Sequence, residues 1–130
     1  MVDFEAISKL CESLRRKRRA QEDLREKATD TSVKLTDMPR SGGDGKQAER
    51  IMISICAMEE ECNEIEAELN RRKDQLRREM KKLTKQQHQE AIRKRYLEGE
   101  PVFVVSQEMG YEYRSVTRFI NEAKEIINGQ

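Results

Sequence analysis

The residues whose types and spacing could support recognition chemistry lie near the C-terminus, in the segment that begins at Tyr113. An arginine can donate two hydrogen bonds to guanine, an asparagine can pair similarly with adenine, and serine or threonine hydroxyls reach bases or phosphates. This mixture on one helix favours contact with the major groove of DNA. For Arg114 and Arg118, an ordinary solvated helix face is the alternative. The predicted DNA-binding residues are Tyr113, Arg114, Ser115, Thr117, Arg118, Asn121 and Lys124.

Three short helices must position these side chains. The first is predicted to end at Gly99, because glycine is a common C-terminal stop. Pro101 suits the first turn of the second helix, which Gly110 closes. The last helix is predicted from about Tyr113, and apolar residues at helical spacing define its buried side. These are Val116, Phe119, Ile120, Ala123 and Ile127.

The spacing within the last two helices is more informative than the helices themselves. A small residue is followed by a glycine and two apolar residues, in the order typical of a helix-turn-helix unit. The small residue lets the two helices cross closely, and the glycine tolerates a positive φ in the turn. The four positions are Ser106, Gly110, Val116 and Phe119. We therefore predict a helix-turn-helix domain over residues 85–130.

Residues 1–84 predict a scaffold of two long helices, which makes the whole chain all-α. Their apolar or tolerated positions recur in steps of three and four, as in a coiled coil. Between the helices, residues 29–45 contain Pro39 and three glycines, so we predict an irregular connector there and an antiparallel hairpin around it. The seam positions are Ile7, Leu10, Leu14, Lys17, Gln21, Leu24 and Ala28, then Ile51, Ile55, Met58, Cys62, Ile65, Leu69, Arg72, Leu76, Met80 and Leu83.

Charge is abundant and balanced in this chain of 130 residues. It has 26 basic and 25 acidic side chains; 39% of its residues are charged and 35% are apolar. These values disfavour one large globular core and fit long solvated helices. No apolar run is long enough to span a membrane, and the N-terminus lacks a signal-peptide pattern. We therefore predict a cytoplasmic protein without membrane contact.

We predict that positive and negative charges balance in one part of the fold and not in another. Acidic side chains in residues 59–68 are expected to offset the basic cluster of residues 15–19 within the hairpin. Residues 71–82 carry seven positive charges against two negative ones, which should leave a basic field beside the C-terminal domain. Such a field supports phosphate contacts. The predicted phosphate contacts are Arg77, Arg78, Lys81, Lys82, Arg93 and Lys94.

The segment "IRKRYLEGEPVFVVSQEMGYEYRSVTRFINEAKEII" resembles region 4 of bacterial sigma-70 factors, in which a similar "RYLEG" helix end precedes a helix-turn-helix. The whole chain is similar to a family of small phage and prophage proteins from Gram-positive bacteria, including the connector "TSVKLTDMPRSGG". Its layout resembles phage late-transcription regulators of the ArpU and RinA type. The resemblance is firmest at "DMPRSGG" and at Arg95, Tyr96, Leu97, Gly110, Tyr111, Val116 and Arg118. It implies DNA binding, contact with RNA polymerase and no catalysis.

Two features depart from these relatives. The run "PVFVV" places Phe103 and Val104 where polar or acidic residues are usual. By periodicity it is compatible with a strand; as a helix it exposes apolar surface, which suggests either a protein contact or burial under the first helix of the domain. Glu112 replaces the usual serine or threonine cap. Its charge favours the helix N-terminus but repels a nearby phosphate.

Three functions remain open from the sequence. The first is a DNA-binding transcriptional regulator that dimerises through its coiled coil. The second is a protein-interaction module that docks on RNA polymerase or a host defence protein, and the seven positive and seven negative charges of residues 85–130 favour it. The third is a small terminase-like packaging protein, since these also combine a helix-turn-helix with a coiled coil.

Neither an enzyme, a cofactor nor a metal site is indicated by the sequence. No nucleophile is placed beside a base, and "SGGDGK" lacks the spacing of a phosphate-binding loop. Cys11, Cys56 and Cys62 do not have metal-ligand spacing. We interpret His88, the single histidine, as a polar surface residue.

Overall fold

The protein is all-α over the residues that its computed structural model describes, and no strand occurs among them. The backbone is described for residues 1–37 and 42–129, and the side chains for residues 1–28 and 47–129. The helices are α1 (Phe4–Asp37), α2 (Gly42–Glu79), α3 (Gln86–Ile92), α4 (Val102–Met109) and α5 (Tyr113–Ile127). A 3-10 turn, Met80–Lys82, follows α2, and a π-helical turn, Arg93–Leu97, follows α3. The prediction of an all-α fold is confirmed.

The two long helices extend further than predicted. Residues 29–45 were expected to form an irregular connector, yet α1 continues to Asp37 and α2 already begins at Gly42. Extending a helix costs much less than nucleating one, and no glycine or proline occurs in residues 29–37 to end it. The rest of the predicted connector, residues 38–41, lies outside the described residues.

The chain divides into two compact units. The hairpin unit is Glu12–Ala67, and the terminal unit combines Met1–Cys11 with Glu68–Gln130. This division differs from the predicted domain boundary between residues 84 and 85. The start of α1 and the end of α2 belong to the terminal unit because both pack with the C-terminal helices, as the contacts below show.

Within the hairpin unit, ion pairs show that α1 and α2 run antiparallel. Lys17 Nζ lies 2.7 Å from Glu61 Oε2, and Arg25 lies 3.7 Å from Glu59, so later residues of α1 meet earlier residues of α2. Arg18 pairs with Glu66 at 2.6 Å. The predicted offset of the basic cluster by the acidic run is therefore present at Lys17 and Arg18. Because these side chains are largely exposed, their contribution to stability is small.

The predicted seam forms the interior of the hairpin unit. Ile55 and Cys62 are buried, and the other seam positions in this unit are buried or half-buried. Gln21 is the polar member, with 6% of its surface exposed. Its amide nitrogen donates to the Ile55 carbonyl at 3.3 Å and to Glu59 Oε2 at 2.6 Å. A buried polar side chain in a seam fixes register, because any shift would leave its amide unpaired.

The terminal unit joins the two ends of the chain. The Val2 amide donates to Asn128 Oδ1 at 2.9 Å, and Asn128 Nδ2 donates back to the Val2 carbonyl at 3.2 Å. The ring of Phe4 packs against Tyr96, with 4.9 Å between the centroids. The core of this unit consists of Val2, Phe4, Ile7, Leu69, Leu76, Leu83, Ala91, Ile92, Tyr96, Val105, Val116, Phe119, Ile120, Ala123 and Ile127.

α4 and α5 form the predicted helix-turn-helix. Gly110 has φ +75° and ends α4, and its amide donates to the Ser106 carbonyl at 3.0 Å. Ser106 is buried with 8% exposure, and its hydroxyl donates to the Phe103 carbonyl at 2.7 Å. The small side chain is therefore enclosed and satisfied at the helix crossing. All five residues predicted for the buried side of α5 are buried.

The caps of these helices differ in detail from expectation. The sequence "TKQQ" suggests Thr84 as the cap of α3, but Lys85 occupies that position and makes no side-chain cap. The 3-10 turn after α2 leads into an extended Leu83, so the next helix begins later. Pro101 caps α4 with φ −64° and ψ 153°, which confirms that "PVFVV" enters a helix and excludes the strand interpretation. Glu112 caps α5 without a side-chain hydrogen bond.

Replacing Gly110 by alanine should destabilise the protein by about 1–2 kcal/mol, because the positive φ strains any side chain. A Cβ atom at Gly110 would meet no atom within 4 Å, so no steric clash adds to this cost. Gly129→Ala is the matched control: it has φ +76° and equally open space, but it follows the last helix and can relax by fraying. Urea unfolding should show a clear loss for Gly110→Ala alone, and equal effects would contradict the turn's structural role.

Candidate nucleic-acid interface

A polar face of α5 is exposed opposite its buried residues. Tyr113 is 58% exposed, and Arg114, Arg118 and Asn121 are exposed too. The last three are spaced by four and three residues, so they form one stripe along the helix. Neither arginine forms a salt bridge with the residues that the structure describes. Both guanidinium groups are therefore free to bind a ligand.

The two predicted hydroxyl contacts are less accessible than the arginines. Ser115 and Thr117 are half-buried. The Thr117 hydroxyl donates to the Tyr113 carbonyl one turn earlier, at 3.0 Å, as threonines in helices often do. Its hydrogen is therefore used within the helix, and the oxygen can only accept a hydrogen bond from a ligand.

Lys124, the last residue of the predicted DNA-binding set, has aromatic partners. Its ammonium lies 5.2 Å from the centroid of the Tyr96 ring and 5.5 Å from that of Phe4. A cation over aromatic faces is held by the ring quadrupoles. These contacts help to hold the N-terminal residues against α5. The stripe of Arg114, Arg118 and Asn121 does not include Lys124.

Three of the predicted phosphate contacts line one groove at the end of α2. Arg77, Lys81 and Arg93 surround an open space of about 430 Å³ whose apolar wall includes Met80 and Leu97. Arg77 also pairs with the Asp74 carboxylate one turn earlier, at 2.6 Å. Lys81 is exposed and is not ion-paired within the described ranges. The sequence indicated these cations separately, and the fold brings them together.

The other predicted phosphate contacts are engaged to different degrees. Lys82 donates to the Ile127 carbonyl at 3.1 Å and pairs with Glu79 at 2.7 Å, so it links the end of α2 to α5. Its hydrogen bond lowers the pKa of the Glu79 carboxyl. Lys94 has only 14% side-chain exposure and pairs with Glu108 at 2.8 Å. Arg78 remains exposed.

The basic field predicted for residues 71–82 is weaker than its charge count suggests. Arg71 and Arg72 both pair with Glu68, which lies just outside that range. Arg77 pairs with Asp74, and Lys82 pairs with Glu79. These carboxylates lie three or four residues from their partners, where helical neighbours meet. Four of the seven cations are thus offset locally.

His88 is a buried residue, contrary to the surface position expected from the sequence. Its exposure is 4%, and its ring lies edge-on to Phe119 with 6.3 Å between the centroids. Nε2 contacts Glu122 Oε1 at 3.2 Å, while Nδ1 is buried and has no hydrogen-bond partner in the part of the chain that the structure describes. The spacing of His88 from Ala91 and Ile92, three and four residues, was the available indication that it faces the core.

His88 and Arg118 share an open cleft between α3 and α5. Its volume is about 450 Å³, and it is lined by Lys85, Gln87, His88, Arg118, Phe119 and Glu122. Lys85 and Gln87 were not among the predicted site residues. Lys85 caps α3 and Gln87 lies on its first turn, and the packing of α3 on α5 brings both beside Arg118.

Phe103 is 61% exposed and Val104 is half-buried. Phe103 therefore does not lie under the first helix of the domain, which was one of the two interpretations. An exposed phenyl ring at the start of α4 keeps the other interpretation, contact with a protein, as a hypothesis.

Two carboxyl groups approach each other beside Lys94. A hydrogen bond to Glu108 raises the pKa of Glu100, and burial raises it further. Glu100 Oε2 is buried and has no hydrogen-bond partner among the described residues, which disfavours a negative charge there. The hydrogen bond from Lys94 lowers the pKa of Glu108, and that from Glu100 adds to this. The pair therefore favours a single shared proton.

Within residues 1–37 and 42–129, no helix is both long and apolar enough to cross a membrane. No group of three or more histidine, cysteine, aspartate or glutamate side chains in the described residues is arranged to hold a metal ion.

Together these observations define an all-α protein whose last helix exposes two arginines, Arg114 and Arg118, that form no salt bridge with the described residues. Residues 29–128 match the family described as protein of unknown function DUF1492, and the chain belongs to that family. The match covers the end of α1 and all of α2 to α5. No curated protein and no solved structure matches the chain.

Replacing Glu100 by glutamine should raise the melting temperature at neutral pH. The folded state raises the pKa of Glu100 above its ordinary 4.5. The contribution of the protonated Glu100 to folding stability is therefore lost as the pH rises through the raised pKa. A glutamine amide donates to Glu108 at every pH. The advantage should therefore shrink as the pH falls towards 4.5.

Glu125→Gln is the control for this comparison, since it removes one exposed carboxylate from α5. It should leave the melting temperature unchanged at both pH values. An advantage of Glu100→Gln that is the same at neutral and acidic pH would contradict the shared proton.

Proposed function

We propose that the protein is a sequence-specific DNA-binding transcriptional regulator that acts without catalysis. The observation that carries this proposal is the exposed stripe of Arg114, Arg118 and Asn121 on the second helix of a helix-turn-helix. In proteins with this unit, that helix lies in the major groove and its N-terminal residues contact base edges. Arginine and asparagine are the side chains that pair bidentately with guanine and adenine.

The dimensions of the stripe support this use. Seven residues separate Arg114 from Asn121, which at 1.5 Å per residue corresponds to about 10 Å along the helix. This is roughly the rise of three base pairs at 3.4 Å each. A single α5 would therefore read a short half-site.

A half-site of that length is too short for strong specificity, so we propose that the protein acts as a dimer. Met52 and Ile53 of α2 are 54% and 62% exposed, which is apolar surface that a second copy would cover. Two copies would place two α5 helices in successive major grooves. The resemblance to phage proteins suggests phage or prophage promoters in the bacterial cytoplasm as the place of action.

Arg114→Ala and Asn121→Ala should each weaken binding to a duplex selected by the wild-type protein from a random library. The expected loss is about tenfold to a hundredfold, the value of one bidentate base contact. Each change should also relax preference at one base pair of the half-site. Gel-shift titration measures both effects.

Lys9→Ala is the charge-matched control, since the Lys9 side chain is 73% exposed and pairs with Glu5 one turn away. It should bind as the wild type does. If Arg114→Ala and Asn121→Ala bind the selected duplex as tightly as Lys9→Ala, α5 does not read DNA. Wild-type protein that selects no sequence from the library would refute the proposal as a whole.

The exposed ring of Phe103 favours a second function, docking on bacterial RNA polymerase. A phenyl ring exposed on α4 is apolar surface that a protein partner would bury. The balance of charges in residues 85–130 is compatible with such a partner, because a protein surface requires no basic field. This function can accompany DNA binding in a transcription regulator.

Phe103→Ser should abolish capture of purified RNA polymerase, while stability changes by no more than about 0.5 kcal/mol because the ring is exposed. Ile126→Ser serves as the control, since it removes another exposed apolar side chain of the terminal unit. Co-sedimentation of polymerase with each variant is the measurement. Equal capture by wild type and Phe103→Ser would exclude this surface.

A further inference from the structure

The cleft between α3 and α5 has the composition of an anion site. Lys85 and Arg118 contribute cations and Gln87 an amide donor around a space of about 450 Å³. We infer that this cleft holds one phosphodiester of the DNA backbone and that Arg118 binds this phosphate instead of a base. The inference rests on the proposed function and assigns different ligands to the two arginines of the stripe.

Arg118 has no carboxylate partner within the described residues, although one lies close in sequence. Glu122 follows four residues later on α5, a spacing at which opposite charges can pair. In the structure the Glu122 carboxylate instead contacts His88 Nε2 at 3.2 Å, and no salt bridge joins Glu122 to Arg118 in the described residues. The guanidinium is thus left for another anion.

His88 is held in place for this contact. It is 4% exposed and lies against the ring of Phe119, so it cannot rotate freely to release Glu122. The Arg118 guanidinium lies 5.5 Å from the same Phe119 ring, which restrains the arginine beside the cleft. Histidine and phenylalanine therefore act as positioning residues, which keep Glu122 and Arg118 apart.

The charges in the cleft suit a phosphodiester. Lys85 and Arg118 supply two positive charges, and neither forms a salt bridge in the described part of the chain. Glu122 supplies one negative charge, so one net positive charge remains among these three side chains. A phosphodiester has one negative charge and several acceptor oxygens, so lysine, arginine and amide donors together satisfy it.

The positions of Arg114 and Arg118 along α5 also favour different ligands for the two side chains. Arg114 lies on the first turn of α5, where base contacts occur in helix-turn-helix proteins. Arg118 lies one turn later and borders Lys85, which belongs to the neighbouring helix α3. A helix in a groove about 12 Å wide is flanked by the phosphate backbones. A site shared between α5 and its neighbour therefore faces backbone, while the tip of α5 faces bases.

The test compares Arg118→Ala, Arg118→Lys and Lys85→Ala in the full-length protein. The probes are the duplex selected by the wild type and the set of its single-base variants, titrated over a range of salt concentrations. Loss of one phosphate contact should weaken binding to every duplex by the same factor and reduce the slope of log K against log salt by about 1. Arg118→Lys should keep the wild-type slope, because a phosphate accepts a lysine where a guanine needs the planar fork.

The double variant Arg118→Ala, Lys85→Ala tests whether both cations bind the same phosphate. If they do, its loss of affinity should be smaller than the product of the two single losses. Arg114→Ala is the contrasting control, expected to change base preference, and Lys9→Ala the neutral one. Thermal melting of each variant checks that folding is intact.

The outcomes separate this inference from the proposed function. If Arg118→Ala and Arg118→Lys both change the base preference in the same way, Arg118 contacts a base and the inference is wrong. The proposal that α5 reads DNA would then still hold. Fully independent losses in the double variant would overturn the shared site. Wild-type protein that binds no duplex would overturn the proposed function, and this inference with it.

Discussion

The burial of one face of α5 is the constraint on which the arrangement of the C-terminal helices depends. Val116 and Ala123 are completely enclosed, and Ile120 is 5% exposed. Removing such side chains from water stabilises the fold by about 1.5–3 kcal/mol for each of the larger ones. Because a helix is rigid, enclosing this face fixes the rotation of α5 about its axis. The directions of Arg114 and Arg118 are then consequences of the core.

This constraint explains which parts of the molecule could be predicted from the sequence. Periodic patterns report the buried side of a helix directly, so the apolar face of α5, the Ser106 and Gly110 positions and both seams were found. Helix ends were predicted less well. α1 passes through residues 29–37 because no residue there interrupts a helix already formed, and Thr84 loses its capping position because a 3-10 turn comes before it. Composition alone reports neither effect.

The partners of individual polar side chains could not be predicted, because they depend on how helices approach each other. Lys94 was predicted to contact phosphate, and in the structure it forms an ion pair with Glu108 of α4. Lys124 was expected to contact DNA, but the N-terminal residues bring the Phe4 ring beneath it. Lys85 shows the opposite case: it was not among the predicted site residues, but the packing of α3 on α5 brings it into the same cleft as Arg118.

The same reasoning changes what the net charge of +1 implies. Most cations at the end of α2 are paired with carboxylates one helical turn away, so the electrostatic field around this segment is weak. In the proposed complex with DNA, a weak field would lower affinity for every duplex alike. Arg114 and Arg118, which form no salt bridge within the described residues, would then contribute a larger share of the binding free energy. Since their positions are fixed by the core, a chain with balanced charge can discriminate between sequences through a few oriented contacts, with little competition from non-specific binding.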